Sequence, residues 1–192
     1  MTARELKTFV FKGVLARHAV ADLQAEGLLQ SPLATSSERS DIDLFAAIQE
    51  SVRNGSIQMQ RAYRLLYVLE NIVRTLIAEQ LSEADGEDWF EKRASAQMKT
   101  KIAQRQEQEE RNQWHSGRNK APIFYLDFGD LAKLITTHWV SFSYLLPTQA
   151  WVQSRLDEAE RSRNVIAHTN ILSSEEVDRL EMYLRDWIKQ IG

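Results

Sequence analysis

Between residues 59 and 81 the apolar positions Met59, Leu65, Leu66, Leu69, Ile72, Val73, Leu76, Ile77 and Leu81 recur at intervals of three and four. That spacing puts them on one stripe of an α-helix and predicts a core helix, capped at its start by Ser56 and broken by Asp85-Gly86-Glu87-Asp88. A second, very polar helix is predicted from 89 to about 113. After it, residues 116–122 hold Gly117 and Pro122, which oppose helix. Asp127 can cap a helix carrying Leu131, Leu134, Ile135, Trp139, Phe142 and Leu145 up to Pro147, and a further helix is expected over about 148–168. Ser173 with Glu176 forms a capping box for a last helix bearing Val177, Leu180, Leu184, Trp187 and Ile191. No segment alternates with period two, so the pattern predicts an all-α bundle of about four core helices from residue 57 onward.

The first 56 residues read differently. Phe9, Phe11, Val14, Leu15, His18, Leu23 and Leu28 have helical spacing, with Gly13 and Gly27 allowing one bent helix or two short ones. Residues 30–40 are rich in Ser, Thr and Pro and read as a linker. Ser40 with Asp43 can start a helix that Asn54-Gly55 would end. The expected organisation is an N-terminal helical appendage over 1–56, with its linker near 30–40, and a helical bundle over 57–192.

Composition narrows the classes of chemistry. The 192 residues are 43% hydrophobic and 27% charged, ordinary for a folded domain, and the absence of Cys excludes disulfides, thiolate zinc sites and a thiol nucleophile. The longest apolar run, residues 65–69, is far short of the roughly 20 residues of a membrane span, and Lys12, Arg17 and His18 interrupt any early apolar segment. The expectation is a cytoplasmic protein with no membrane partner. A net charge of −3 requires any nucleic-acid contact to be local. One stretch offers it: Lys92, Arg93, Lys99, Lys101 and Arg105, with no acid among residues 92–105, is either a solvated helix face or a surface that tracks phosphates. The five tryptophans read as core or interface anchors rather than as base-stacking platforms.

Phosphate loops, His-Glu-x-x-His and Gly-x-Ser-x-Gly are absent from the sequence, and the acidic loop around Glu83, Asp85, Glu87 and Asp88 lacks calcium-loop spacing, so neither a metal nor a cofactor is expected. His138 precedes Trp139 in an amphipathic helix and reads as a packing residue. His168 stands apart: Asn164, four residues earlier, shares its helix face, while Arg163 lies about 140° round an ideal helix. A long guanidinium, or a helix break before Ser173, can bring Arg163 to the same pocket.

The segment Arg163-Asn164-Val165-Ile166-Ala167-His168 resembles the Arg–x4–6–His signature of the HEPN superfamily (higher eukaryotes and prokaryotes nucleotide-binding). The resemblance extends to Leu69-Glu70-Asn71-Ile72-Val73-Arg74, Gly86-Glu87-Asp88-Trp89-Phe90 and Leu126-Asp127-Phe128-Gly129-Asp130-Leu131, which are similar to the HEPN branch of "synthetic with TREX" endoribonucleases and bacterial relatives. It covers about 57–192 and implies a HEPN-like bundle, a homodimer with two motifs near a two-fold axis, and metal-independent cleavage of RNA. On that implication Arg163, His168 and Asn164 are the catalytic set, and Glu70 with Arg74 resembles a supporting polar pair, or else a surface ion pair. Arg161, Lys99, Lys101 and Arg105 would attract the substrate. The residue chemistry agrees, because RNA carries its own 2′-hydroxyl nucleophile and needs only a proton-transfer group and a cation. Position 170, where toxins of one HEPN branch carry a modifiable Tyr, is Asn. A toxin or defence effector under an antitoxin or other regulatory protein is one setting. A non-catalytic HEPN module for dimerisation, RNA or nucleotide binding is the alternative.

Overall fold

The computed structural model describes residues 45–192; the helices and linker expected before residue 45 lie outside the described residues. The chain divides into two units, Met1–Glu50 and Ser51–Gly192, and the second holds the helical bundle. Six α-helices occur among the described residues, and no strand: α1 (Glu50–Asp85), α2 (Trp89–Arg93), α3 (Ala96–Glu110), α4 (Phe128–Thr137), α5 (Gln149–Ala167) and α6 (Ser174–Ile191). The all-α class expected from the periodicity is therefore what the chain adopts.

The stripe read on α1 is the stripe it buries: Leu66, Leu69, Val73, Leu76, Ile77 and Leu81 all face the core. The helix does not stop at Asn54-Gly55 and restart at Ser56, as local signals predicted. Gly55 is buried within it, where an added Cβ would come within 2.8 Å of Ile171 Cδ1, and the Ser56 hydroxyl donates back to the Arg53 carbonyl (2.7 Å) rather than capping. Packing against the loop after α5 outweighs the roughly 1 kcal/mol by which Gly disfavours a helix interior.

Two other predicted helices are cut short. The polar helix from 89 breaks at Ala94, which is extended (ψ 135°), and Ser95 then caps α3 by accepting from the Met98 N–H (3.3 Å). The break has a packing cause. Trp89 and Met98, nine residues apart, would lie on opposite faces of one continuous helix, yet both are buried in the same core. α4 ends at His138, and a 3-10 turn over Trp139–Ser141 then delivers Phe142 and Leu146 to the core. His138 packs against α2, its Nε2 3.0 Å from the Arg93 carbonyl.

The core is assembled from α1, α4, α5 and α6, with Leu131 and Ile135, Val152 and Leu156, and Leu180 and Trp187 among its buried members. Gly129 allows the start of α4 to approach α5, since a Cβ there would sit 2.9 Å from Glu160 Oε2. The Trp151 and Trp187 rings are 5.0 Å apart, and Arg155 lies over Trp151 while bonding Asp186 (2.7 Å), which ties α5 to α6. The capping box expected at the start of α6 forms, with Ser173 exchanging bonds with Glu176 (2.7 and 3.3 Å), and α5 is capped by Thr148, which accepts from the Trp151 N–H (3.0 Å).

Candidate functional site

The Arg–x4–His segment occupies the last turn of α5 and the turn that ends it. The Asn170 N–H donates to the Val165 carbonyl (3.1 Å) and the Thr169 N–H to the Ile166 carbonyl (2.9 Å), the two bonds of a Schellman closure. Thr169 supplies the left-handed residue at φ 59°, the only non-glycine with positive φ among the described residues. A β-branched side chain there costs about 1–2 kcal/mol, a strain the surrounding bonds hold in place. His168 is thereby fixed as the C-cap, its N–H bonded to the Asn164 carbonyl (3.2 Å). Its imidazole is exposed and has no hydrogen-bond partner among the described residues. Asn164 is likewise exposed one turn back.

Arg163 faces another way, toward the start of α4. Its Nη2 lies 3.3 Å from Asp127 Oδ1. Asp127 is the N-cap of α4, and Asp130 reaches back to its N–H (3.3 Å) to complete a capping box. The same carboxylate accepts from Arg105 (2.8 and 3.2 Å) and pairs with Lys101 (3.0 Å), so one anion collects three cations from α3 and α5. Burial alone would raise the Asp127 carboxyl, but the bonds from Arg105 and Lys101 hold it at about 2. Lys101 also pairs with Asp130 (2.5 Å) and Arg105 with the Tyr125 carbonyl.

Glu70 and Arg74, which sequence left between a supporting pair and a surface pair, form a half-buried ion pair at 2.6 Å. Arg74 also donates to the Leu126 carbonyl (3.1 Å) and stacks over Phe124 (5.3 Å to the ring centre), so it braces the segment leading into Asp127. Burial pushes the Glu70 carboxyl up, Arg74 and Arg163 pull it down, and Asp127 adds to the push. Burial lowers the Arg74 guanidinium, against the pull of Glu70 and Asp127. Glu70, Arg74, Asp127 and Arg163 are therefore one electrostatic neighbourhood drawn from three helices.

The remaining cations of the 92–105 stretch are also engaged. Arg93 pairs with Asp85, Lys92 donates to the Asp85 carbonyl (2.8 Å), and Lys99 bonds Glu91 (2.7 Å). The stripe is acid-free in sequence but meets acids from neighbouring elements in space. Arg161 is exposed, in a groove it shares with Glu158, Glu176 and Arg179. Asp127 is the residue sequence reasoning undervalued: it was visible as a cap, and its place beside Arg163 depends on the packing of α4 on α5, which spacing does not encode. No group of three or more metal-ligating side chains occurs among the described residues.

A helical bundle with an Arg–x4–His segment closing its penultimate helix is the arrangement expected of a HEPN-type domain. The chain matches the family described as Swt1-like HEPN over residues 64–192, and it belongs to that family. HEPN domains are generally RNases or nucleotide-binding modules, and they often dimerise. No curated protein and no solved structure matches the chain. No helix among the described residues is long and apolar enough to cross a membrane.

Proposed function

We propose that the protein is a metal-independent endoribonuclease whose reaction is attack of a substrate 2′-hydroxyl on the adjacent phosphate, with residues 57–192 as the catalytic module and 1–56 as an appendage. The observation that carries this reading is the exposed His168 imidazole, fixed at its backbone and unencumbered at its ring, five residues after an Arg163 guanidinium that faces the start of α4, is only partly shielded and is held by the longest of the three cation contacts to Asp127. His168 moves the proton between the 2′-hydroxyl and the leaving 5′-oxygen, a task that suits an imidazole, which can both accept and donate a proton. Arg163 meets the charge that builds on the phosphorane with planar paired donors. Asn164, exposed on the same face as His168, orients the imidazole or bonds the RNA. In a homodimer the two copies of this turn face each other, so that one histidine serves as base and the other as acid. Arg161 is the exposed cation for phosphates beside the scissile one. Lys99, Lys101 and Arg105 reach RNA by exchanging a carboxylate for a phosphate. A toxin or defence effector governed by an antitoxin, acting in the cytoplasm, is the setting this chemistry suits.

The experiment is cleavage of mixed cellular RNA in excess EDTA by the wild type, Arg163→Ala and His168→Ala. Cleavage that survives EDTA, leaves 2′,3′-cyclic phosphate ends and falls by about 10²- to 10⁴-fold in the His168 variant supports the reading. Unchanged cleavage in both variants sinks it. The engagement of Lys99, Lys101 and Arg105 by carboxylates favours a second reading, a HEPN module that dimerises or binds RNA or nucleotide without cutting. Tight RNA binding with no cleavage by a folded dimer would select it.

A further inference from the structure

Four of the five tryptophans pack as sequence patterning led one to expect, with Trp187 and Trp89 buried and Trp139 and Trp151 lying against the core. Trp114 does not: it is 84% exposed, in the loop between α3 and the 3-10 turn Pro122–Tyr125. That loop is held in one shape. Glu109 accepts from the Tyr125 hydroxyl (2.9 Å), from the Arg118 N–H (3.2 Å) and from the Arg118 guanidinium, which also lies over the Tyr125 ring (5.6 Å). Gly117 passes so close that a Cβ would be 2.9 Å from Glu109 Oε2. The His115 ring stands edge-on to the indole at 5.5 Å.

The loop walls a cleft of about 620 Å³, a size usual for small-molecule sites, which runs between Trp114, His115 and Arg118 on one side and Arg105, Gln108 and Asn112 of α3 and its end on the other. Arg105 belongs to both the cleft and the Asp127 cluster that holds Arg163. Residues 111–120 carry Arg111, Arg118 and Lys120 and no acid, and the cleft's one carboxylate, Glu109, is spent on Arg118 and Tyr125. An indole face left to water, flanked by amide and guanidinium donors, matches an unpaired nucleobase with its phosphate rather than an apolar protein segment.

Resting on the nuclease reading, we infer that the Trp114 cleft is a subsite for a single-stranded nucleotide near the scissile phosphate: the base stacks on Trp114, Gln108 and Asn112 face its edge, and Arg105 and Arg118 face its phosphate. The subsite selects single strands, because a paired base cannot leave its stack to reach the indole at comparable cost.

The test is affinity for a fluorescent single-stranded RNA of about 12 nucleotides made uncleavable by 2′-fluoro substitution, and for the same sequence as a duplex. Wild type, Trp114→Ala and Trp114→Phe are compared as full chains. Loss of one stacked base predicts roughly 5- to 150-fold weaker single-strand binding for Trp114→Ala, little change for Trp114→Phe, and no change for duplex. If the Ala variant melts early, quenching of wild-type fluorescence by RNA, compared with the Phe variant, reads the same contact. Equal single-strand affinity of wild type and Trp114→Ala, an equal loss for duplex, or no single-strand binding by wild type overturns the subsite. The two proposals fail separately. Trp114-dependent binding without cleavage removes the nuclease and keeps the subsite, whereas His168-dependent cleavage with a neutral Trp114→Ala removes the subsite alone.

Discussion

Replacing Asp127 by Asn removes the charge at the centre of the cluster while keeping a side chain that caps helices about as well, so the two roles of this residue are separated. The magnitude follows from its acidity. Asp127 titrates at about 2 instead of 3.8, and at about 1.4 kcal/mol per pH unit that gap contributes about 2 kcal/mol to stability near neutral pH. Because the folded-state value is depressed, the contribution is complete above the unfolded value and disappears as pH falls through about 2; about half remains at pH 3. The variant should therefore melt about 4–8 °C below wild type at pH 7, with the difference narrowing on acidification. Calorimetry from pH 7 down to pH 3 reads both. Equal melting at pH 7, or a difference that widens in acid, would refute the view that Asp127 is an anion stabilised by its three cations. The same variant leaves Arg163 without its anchor, and the cleavage reaction should fall with it even where the fold persists.

Arg74→Ala leaves Glu70 half-buried without its partner, and should cost about 3 kcal/mol by denaturant unfolding at pH 7, with the deficit shrinking on acidification, since protonation of the carboxyl that burial pushes up removes the stranded charge. A cost under about 1 kcal/mol would show that the pair behaves as a surface bridge. Gly86→Ala places a side chain at φ 78° with no atom within 4 Å, so its cost is backbone alone, about 1 kcal/mol of unfolding free energy, read from the shift of the urea midpoint times the m value; a loss several times larger would mean that the turn after α1 is packed more tightly than its surroundings indicate.

The elements that sequence predicted well are those whose buried stripe and caps are local. α1 from Leu66 to Leu81 announces itself by its period and α6 after Ser173 by period and cap, while α5 runs over the stretch of about 148–168 expected for it. Sequence misled where a distant contact decides. Asn54-Gly55 looks like a helix end until Ile171 is seen to need the space above Gly55. The 89–113 helix looks continuous until Trp89 and Met98 are required on one core. For the site, Arg163, Asn164 and His168 were legible from the motif and from the resemblance it supports. The neutralised stripe was not, since Lys101 and Arg105 find their carboxylates 20 to 30 residues on. Nor did the pattern separate Trp114 from the other tryptophans, because exposure is a property of the folded loop.

The turn that holds His168 is made from backbone bonds and from two side-chain amides that donate to backbone carbonyls. Thr169 and Asn170 close it, the Asn170 amide bonds the His168 carbonyl (3.1 Å), and Gln58 of α1 bonds the Leu172 carbonyl just beyond (2.7 Å). None of these bonds uses the imidazole. The ring hangs from a fixed pivot: its Cα is placed by the fold, and no bond among the described residues holds its nitrogens. Scaffold and chemistry are thus separable in evolution. On the nuclease reading, a lineage that exchanged His168 for another residue would give up the proton carrier and keep the bundle, so cutting and merely binding descendants of this fold would lie one substitution apart.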